Sequence, residues 1–174
     1  MLTRLSCLLL PIAAGNLFAE ETGHTSKPKL KASALAGYWQ PNEEDLFKVT
    51  KRSSKTSLEL GEVTERELRD YAKQRAEQTV MIIAADGTVT THDDVRTKKR
   101  KLEIGGARNE AGEAEVTLIS ASGRREPAYL SIKGDLLTMR PRRDGAPSDL
   151  KQSFRRLSRE AGKKLAREIL ELQP

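Results

Sequence analysis

Between residues 35 and 157 the chain alternates short apolar stretches with turn signals, most of them too short to hold a crossover, and this punctuation constrains the fold more than any other feature. Asp86-Gly87 divides the apolar stretch 80–85 from 88–91, a strong two-residue hairpin signal. His92-Asp93-Asp94 makes the next turn. Further stretches at 95–104, 114–120, 127–133, 136–140 and 150–157 are separated by Gly105-Gly106 with 109–112, by Ser122-Gly123, by Gly134-Asp135 and by Asp144-Gly145-Ala146-Pro147. With Leu35-Ala36-Gly37-Tyr38-Trp39-Gln40 in front, these make eight strands. Short turns force antiparallel neighbours. Eight strands can close as an up-and-down sheet and so abolish its edges. The expectation is a mainly β (α+β) domain, an antiparallel up-and-down eight-stranded barrel.

Trp39, the single Trp, sits on the opening strand, with Gly37 two residues earlier on the same face. A Trp needs a prepared pocket, and a glycine lets a ring or backbone come close. Gly-x-Trp therefore reads as a plug at one end of a closed sheet, or as an ordinary first strand with a core Trp.

Helical signals lie on either side of the barrel strands. Pro41-Asn42 ends the first strand, and Asn42 caps a helix whose first turn is Glu43, Glu44 and Asp45, with Leu46, Phe47 and Thr50 facing inward. Residues 51–57 read as a loop. Thr64 and Glu67 form a capping box and Val63 with Leu68 a hydrophobic staple, opening a helix striped with Leu68, Tyr71, Ala72 and Ala76. The stretch 80–85 is apolar on both faces, so its outer face needs a cover, and the 64–78 helix is expected to supply it, outside the barrel rather than over its mouth. After Ser158, Ala161, Leu165, Ala166, Ile169 and Leu170 make the apolar face of a C-terminal amphipathic helix, expected to dock on the domain.

Residues 1–19 carry Arg4, then an apolar run over 5–14, then small residues: a secretory signal peptide, too short to span a bilayer. Cleavage follows Ala19 or Gly15. The sole cysteine, Cys7, leaves with it, and loss of Arg4 lowers the formal charge from +6 to +5. Residues 20–33 are polar, hold His24 and form a flexible tether. Residues 34–174 are a single β domain with its C-terminal helix, periplasmic or extracellular, with no disulfide and no later transmembrane segment.

Chemistry is sparse. His92-Asp93-Asp94 supplies too few ligands for a cation and reads as a solvated hairpin tip. Ser120, Ser122 and Gly123 lack a nucleophile elbow, and the glycine pairs precede no helix that would make a phosphate cradle. No catalytic constellation, metal site or cofactor motif is found. The clearest charge feature is Arg96, Lys98, Lys99, Arg100 and Lys101, with Arg140, Arg142 and Arg143 as a second cluster. Arg96, Lys98 and Arg100 share one strand face, and Lys99 and Lys101 the other. Lys on both faces suggests a strand that projects beyond the barrel or lies at an edge. Both clusters are candidate contacts for an anionic partner. Nucleic acid is disfavoured, because the aromatics do not interleave with the basic run.

Leu35-Ala36-Gly37-Tyr38-Trp39, eight antiparallel strands and Phe154-Arg155-Arg156 together resemble lipocalin-like barrels. The 85–89 and 132–137 hairpins look like those of small bacterial lipocalin-like exported proteins of unassigned function. The resemblance covers about 34–159 and implies that a last-strand arginine stacks on Trp39. Arg156 shares a face with Leu150, Gln152 and Phe154, and fits better than Arg155. The chain departs from the family in lacking its usual disulfide and in carrying a helical insertion in the first loop.

Two functions follow. One is an exported lipocalin-like barrel binding a small apolar or amphiphilic ligand, its anionic head near Arg140, Arg142 or Arg143. The other is a solid-cored envelope protein whose basic surface contacts anionic lipid or polymer. Inward candidates Ile82, Leu118, Leu130, Ile132 and Leu137 fit either.

Overall fold

The computed structural model describes residues 29–173 apart from residue 144. The expected signal segment, the tether as far as residue 28, Cys7 and His24 lie outside the described residues. The tether expectation runs on to residue 33, yet Leu30 already packs on the barrel core and one helical turn, α1 (Ala32–Leu35), follows it.

Eight antiparallel strands close into a ring: β1 (Gly37–Pro41), β2 (Thr79–Ile83), β3 (Thr88–Asp93), β4 (Thr97–Arg108), β5 (Ala114–Ser120), β6 (Arg125–Lys133), β7 (Leu136–Arg143) and β9 (Gln152–Leu157). A two-residue strand, β8 (Ala146–Pro147), pairs with the end of β7 outside the ring. Closure comes from β9, which pairs with β1 on one side and β7 on the other. The up-and-down barrel expected from the turn spacing is therefore the fold.

Alternation sorts the side chains. Trp39, Met81, Ile83, Val89, Leu102, Val116, Leu118, Leu130, Leu137 and Phe154 form one inner cluster. Ile82 is expected inside but faces out, because its neighbours Met81 and Ile83 hold the inner face. Gly105-Gly106 is not a turn. β4 runs through it to Arg108 with a shifted register, and a Cβ on Gly105 would stand 3.1 Å from the Glu115 carbonyl oxygen. The turn follows at Asn109, whose side-chain oxygen accepts from the Glu113 N–H (2.9 Å).

The insertion after β1 holds three helices: α2 (Glu43–Ser53), α3 (Lys55–Glu59) and α4 (Glu65–Glu77). Asn42 caps α2 and the Thr64/Glu67 capping box opens α4, as their residue types dictate. α2 and α3 replace the loop expected over 51–57, with Leu58 drawn onto the Phe47, Leu68 and Ala72 cluster. Tyr71, placed on the apolar stripe by spacing, is 51% exposed.

The covering of the outer face of β2 is a correction. α4 runs into β2 through Gln78 alone, so it cannot fold back over that strand. The C-terminal helix α5 (Arg159–Leu172) does so instead: Ala166 and Ile169 pack on Val80, with Tyr38 and Ile82 beside them. Gly162 makes this docking close, since a Cβ there would fall 2.2 Å from the Tyr38 ring. The insertion sits at the barrel end where β1 finishes and β2 begins. It is tied down by Asp45, whose carboxylate accepts from the buried Ser153 N–H (2.9 Å), while the Asn42 N–H donates to the Ser153 carbonyl (2.8 Å). That helical cover stands at the mouth, not along the outside.

Candidate functional site

The two ends of the barrel are built differently. At the closed end the Arg156 guanidinium lies 4.4 Å from the centre of the Trp39 ring. It donates to the Ala36 carbonyl (3.0 Å) and the Ala34 carbonyl (3.3 Å), while the Trp39 indole N–H donates to the Leu35 carbonyl (2.9 Å). Gly37 adopts φ 148°, and a Cβ there would stand 3.2 Å from the guanidinium. Gly37, Trp39 and Arg156 thus meet as one stacked unit. A cation over an indole face is attractive as well as space-filling. The stack fills the interior of the barrel at this end.

At the open end β4 passes from apolar to charged. Leu102 and Ile104 face inward low in the barrel, and period two carries Arg100 and Lys98 onto the same face nearer the mouth. β4 pairs with β3 from Thr97 to Lys101, whereas β5 joins it only from Arg100 onward, so Thr97, Lys98 and Lys99 extend past β5 at the mouth, as expected of a strand that projects there. The run is split in two: Lys98 and Arg100 line a cavity of about 300 Å³, while Lys99 and Lys101 face solvent. Lys101 donates to the Asp86 carbonyl (2.6 Å), and Arg96 sits exposed on the β3–β4 turn.

The cavity has an apolar floor of Met81, Val89, Leu118, Met139 and Phe154. Its mouth carries Arg75 from α4, Asp93, Lys98, Arg100 and Gln152, and Leu46 of α2 stands beside them. A second cavity of about 400 Å³ shares Arg100, Leu118, Met139 and Gln152 with it and opens toward Arg142 and Arg143.

Asp93 organises the mouth. It is buried, so the solvated tip expected of His92-Asp93-Asp94 does not hold for this residue. Its carboxylate accepts from the Val95 N–H (3.1 Å) and the Arg96 N–H (2.9 Å), and lies 3.5 Å from Arg75 and 3.6 Å from Lys98. Arg75 also pairs with Asp94, and the Gln173 side chain donates to the Asp93 carbonyl (2.8 Å). Burial alone would raise the Asp93 pKa, but the two N–H donors and the charges of Lys98 and Arg75 bring it below its ordinary value of 3.8. His92 is held low by partial burial and by Lys99. Its Nδ1 lies 2.8 Å from the Thr97 hydroxyl.

Of the second basic cluster, Arg140 faces away from the cavities. It makes a two-pronged bond to Glu113 (3.0 and 2.5 Å) on the outside of the sheet. Burial pushes the Glu113 pKa up, and the hydrogen bonds from Arg140 and Asn109 outweigh it, so the carboxyl ends below its usual range. Arg142 pairs with Glu115 (3.3 Å) at the rim.

The cavity residues that sequence reasoning missed include Arg75, Asp93, Arg124, Arg125, Glu126, Gln152 and Phe154. Glu126 was readable, since alternation with Ala128, Leu130 and Ile132 sets it on the inner face. Arg75 gave no signal, because it reaches the mouth only through the placement of α4. The chain matches no family model, no curated protein and no solved structure.

Proposed function

We propose that this chain is an exported lipocalin-like binding protein for a small amphiphile, with the apolar part in the barrel and an anionic head at the mouth. The observation that carries the reading is a single cavity wall that changes from Met81, Leu118 and Phe154 to Lys98, Arg100 and Arg75. Ligand pockets are mostly apolar with a few fixed polar groups, and this one lies at the small end of their range. At about 30 Å³ per non-hydrogen atom, as for liquid water, about 300 Å³ takes on the order of ten such atoms. That favours a short chain over a long fatty acid. The cation–Trp stack at the closed end supports the lipocalin-like resemblance, and the 1–19 pattern supports export.

The test is titration with an environment-sensitive short-chain fatty-acid probe, then displacement by unlabelled anionic amphiphile. Saturable binding that competitors reverse is expected. A folded protein that binds no probe up to its solubility limit would leave the second reading, an envelope interaction protein acting through its basic surface. Exposed Lys99 and Lys101 favour that alternative, and anionic vesicles at low salt would retain the protein through them. N-terminal sequencing of the exported product checks the compartment: a start at or near Glu20 is expected, and a start at Met1 contradicts it.

A further inference from the structure

The second cavity is lined by five arginines, Arg100, Arg124, Arg125, Arg142 and Arg143, and by one acidic residue, Glu126. Two of the five are drawn to the outer flank: Arg125 pairs with Glu103 at 2.6 Å and Arg142 with Glu115 at 3.3 Å. The other three face the cavity with only Glu126 between them. Glu126 lies 3.4 Å from Arg100 and 3.4 Å from Arg124, so one carboxylate bridges two arginines. Arg143 has no partner among the described residues. Among the described residues, three positive charges against one negative leave a surplus of two at this point.

We infer that the head-group seat is built for a doubly charged oxyanion of the phosphate-monoester class, held by Arg100, Arg124 and Arg143, with Glu126 as the internal group it displaces. This rests on the amphiphile reading above and adds the chemistry of the head. With Glu126 swung aside three positive charges face the ligand, and a phosphate monoester, at about −1.5 to −2 at neutral pH, neutralises more of them than a carboxylate does. Its three oxygens can each meet an arginine fork, the geometry in which arginine binds phosphate better than a point charge does. Glu126 faces inward beside Leu118 and is 38% exposed at its side chain, so it can swing to water when a stronger anion arrives. Leu118 and Met139 line both cavities, which places the tail of such a ligand on the apolar floor.

The experiment compares decyl phosphate, decanoate and decanol by calorimetry on the intact protein. Decyl phosphate should bind at least about tenfold tighter than decanoate, the step expected of one added charge-assisted contact. Glu126→Gln should widen that ratio, and Arg124→Ala with Arg143→Ala should bring it near one. Both arginine positions are exposed, so the double variant should keep its melting temperature. Equal binding of decyl phosphate and decanoate, or a ratio the double variant leaves unchanged, overturns the inference while decanol binding still upholds the barrel reading. Inorganic phosphate binding as tightly as decyl phosphate would assign the seat to free phosphate and also overturn it. Failure of all three probes, decanol included, overturns both.

Discussion

The closed and open ends of this barrel handle buried polarity in opposite ways. At the closed end the Trp39 indole and the two terminal nitrogens of Arg156 donate to backbone carbonyls, and Arg156 fills the remaining space with its own plane. At the open end charged side chains answer one another, Asp93 with Arg75 and Lys98, Glu126 with Arg100 and Arg124, and cavities remain between them. Backbone carbonyls cannot move aside for a ligand, but side-chain ion pairs can. The same eight strands thus present one end made for stability and one end able to exchange partners.

The largest effect should come from the closed end. Trp39→Ala should cost about 3–5 kcal/mol in urea unfolding, because a fully buried indole leaves a cavity that the stacked arginine cannot fill. A loss well under that would mean the two ends are equally soft. Trp39 fluorescence in the folded protein should be blue-shifted, and a solvent-like maximum would contradict its burial.

Next is the docking of α5, which braces the outer wall between the two ends. Gly162→Ala should destabilise by about 1–3 kcal/mol, the usual range for an overpacked contact, since the new methyl meets the Tyr38 ring. Hydrogen exchange should show α5 opening first.

At the open end, Asp93→Ala strands two N–H donors and should cost about 1–3 kcal/mol. Its pH signature is specific. Because the folded pKa of Asp93 lies below 3.8, its stabilisation is fully present above that value and is lost as pH falls through the folded pKa. The wild type should therefore lose more stability than the variant does as pH falls below about 4, as thermal melts would show. Equal slopes would remove Asp93 from its organising role.

The smallest effect sharpens the contrast within a single strand. Neutralising outward Lys99 and Lys101 should change stability by no more than about 0.5 kcal/mol and leave probe binding intact. Neutralising inward Lys98 and Arg100 should weaken binding of an anionic probe severalfold. Equal binding losses for the two pairs would count against a mouth that recognises charge.

Much of the barrel was legible because its causes are local. Asp86-Gly87 and Gly134-Asp135 set hairpins whatever surrounds them, Thr64 and Glu67 cap their own helix, and Gly37-x-Trp39 marks the plugged end. The candidate site was less so. The alternation Lys98, Arg100, Leu102, Ile104 already set two cations on the inner face, yet their charge argued for an exposed edge. Only ring closure, which makes that face the interior of the barrel, decided that they turn into the mouth. Asp93 looked like a solvated tip because nothing nearby in sequence neutralises it except Lys98. Its other cation, Arg75, arrives from a helix 18 residues earlier. The sequence determined which elements form, since turns, caps and alternation act over a few residues. Which helix covers which face, and which charges meet, was decided by tertiary structure, because those contacts join residues whose separation along the chain carries no local signal.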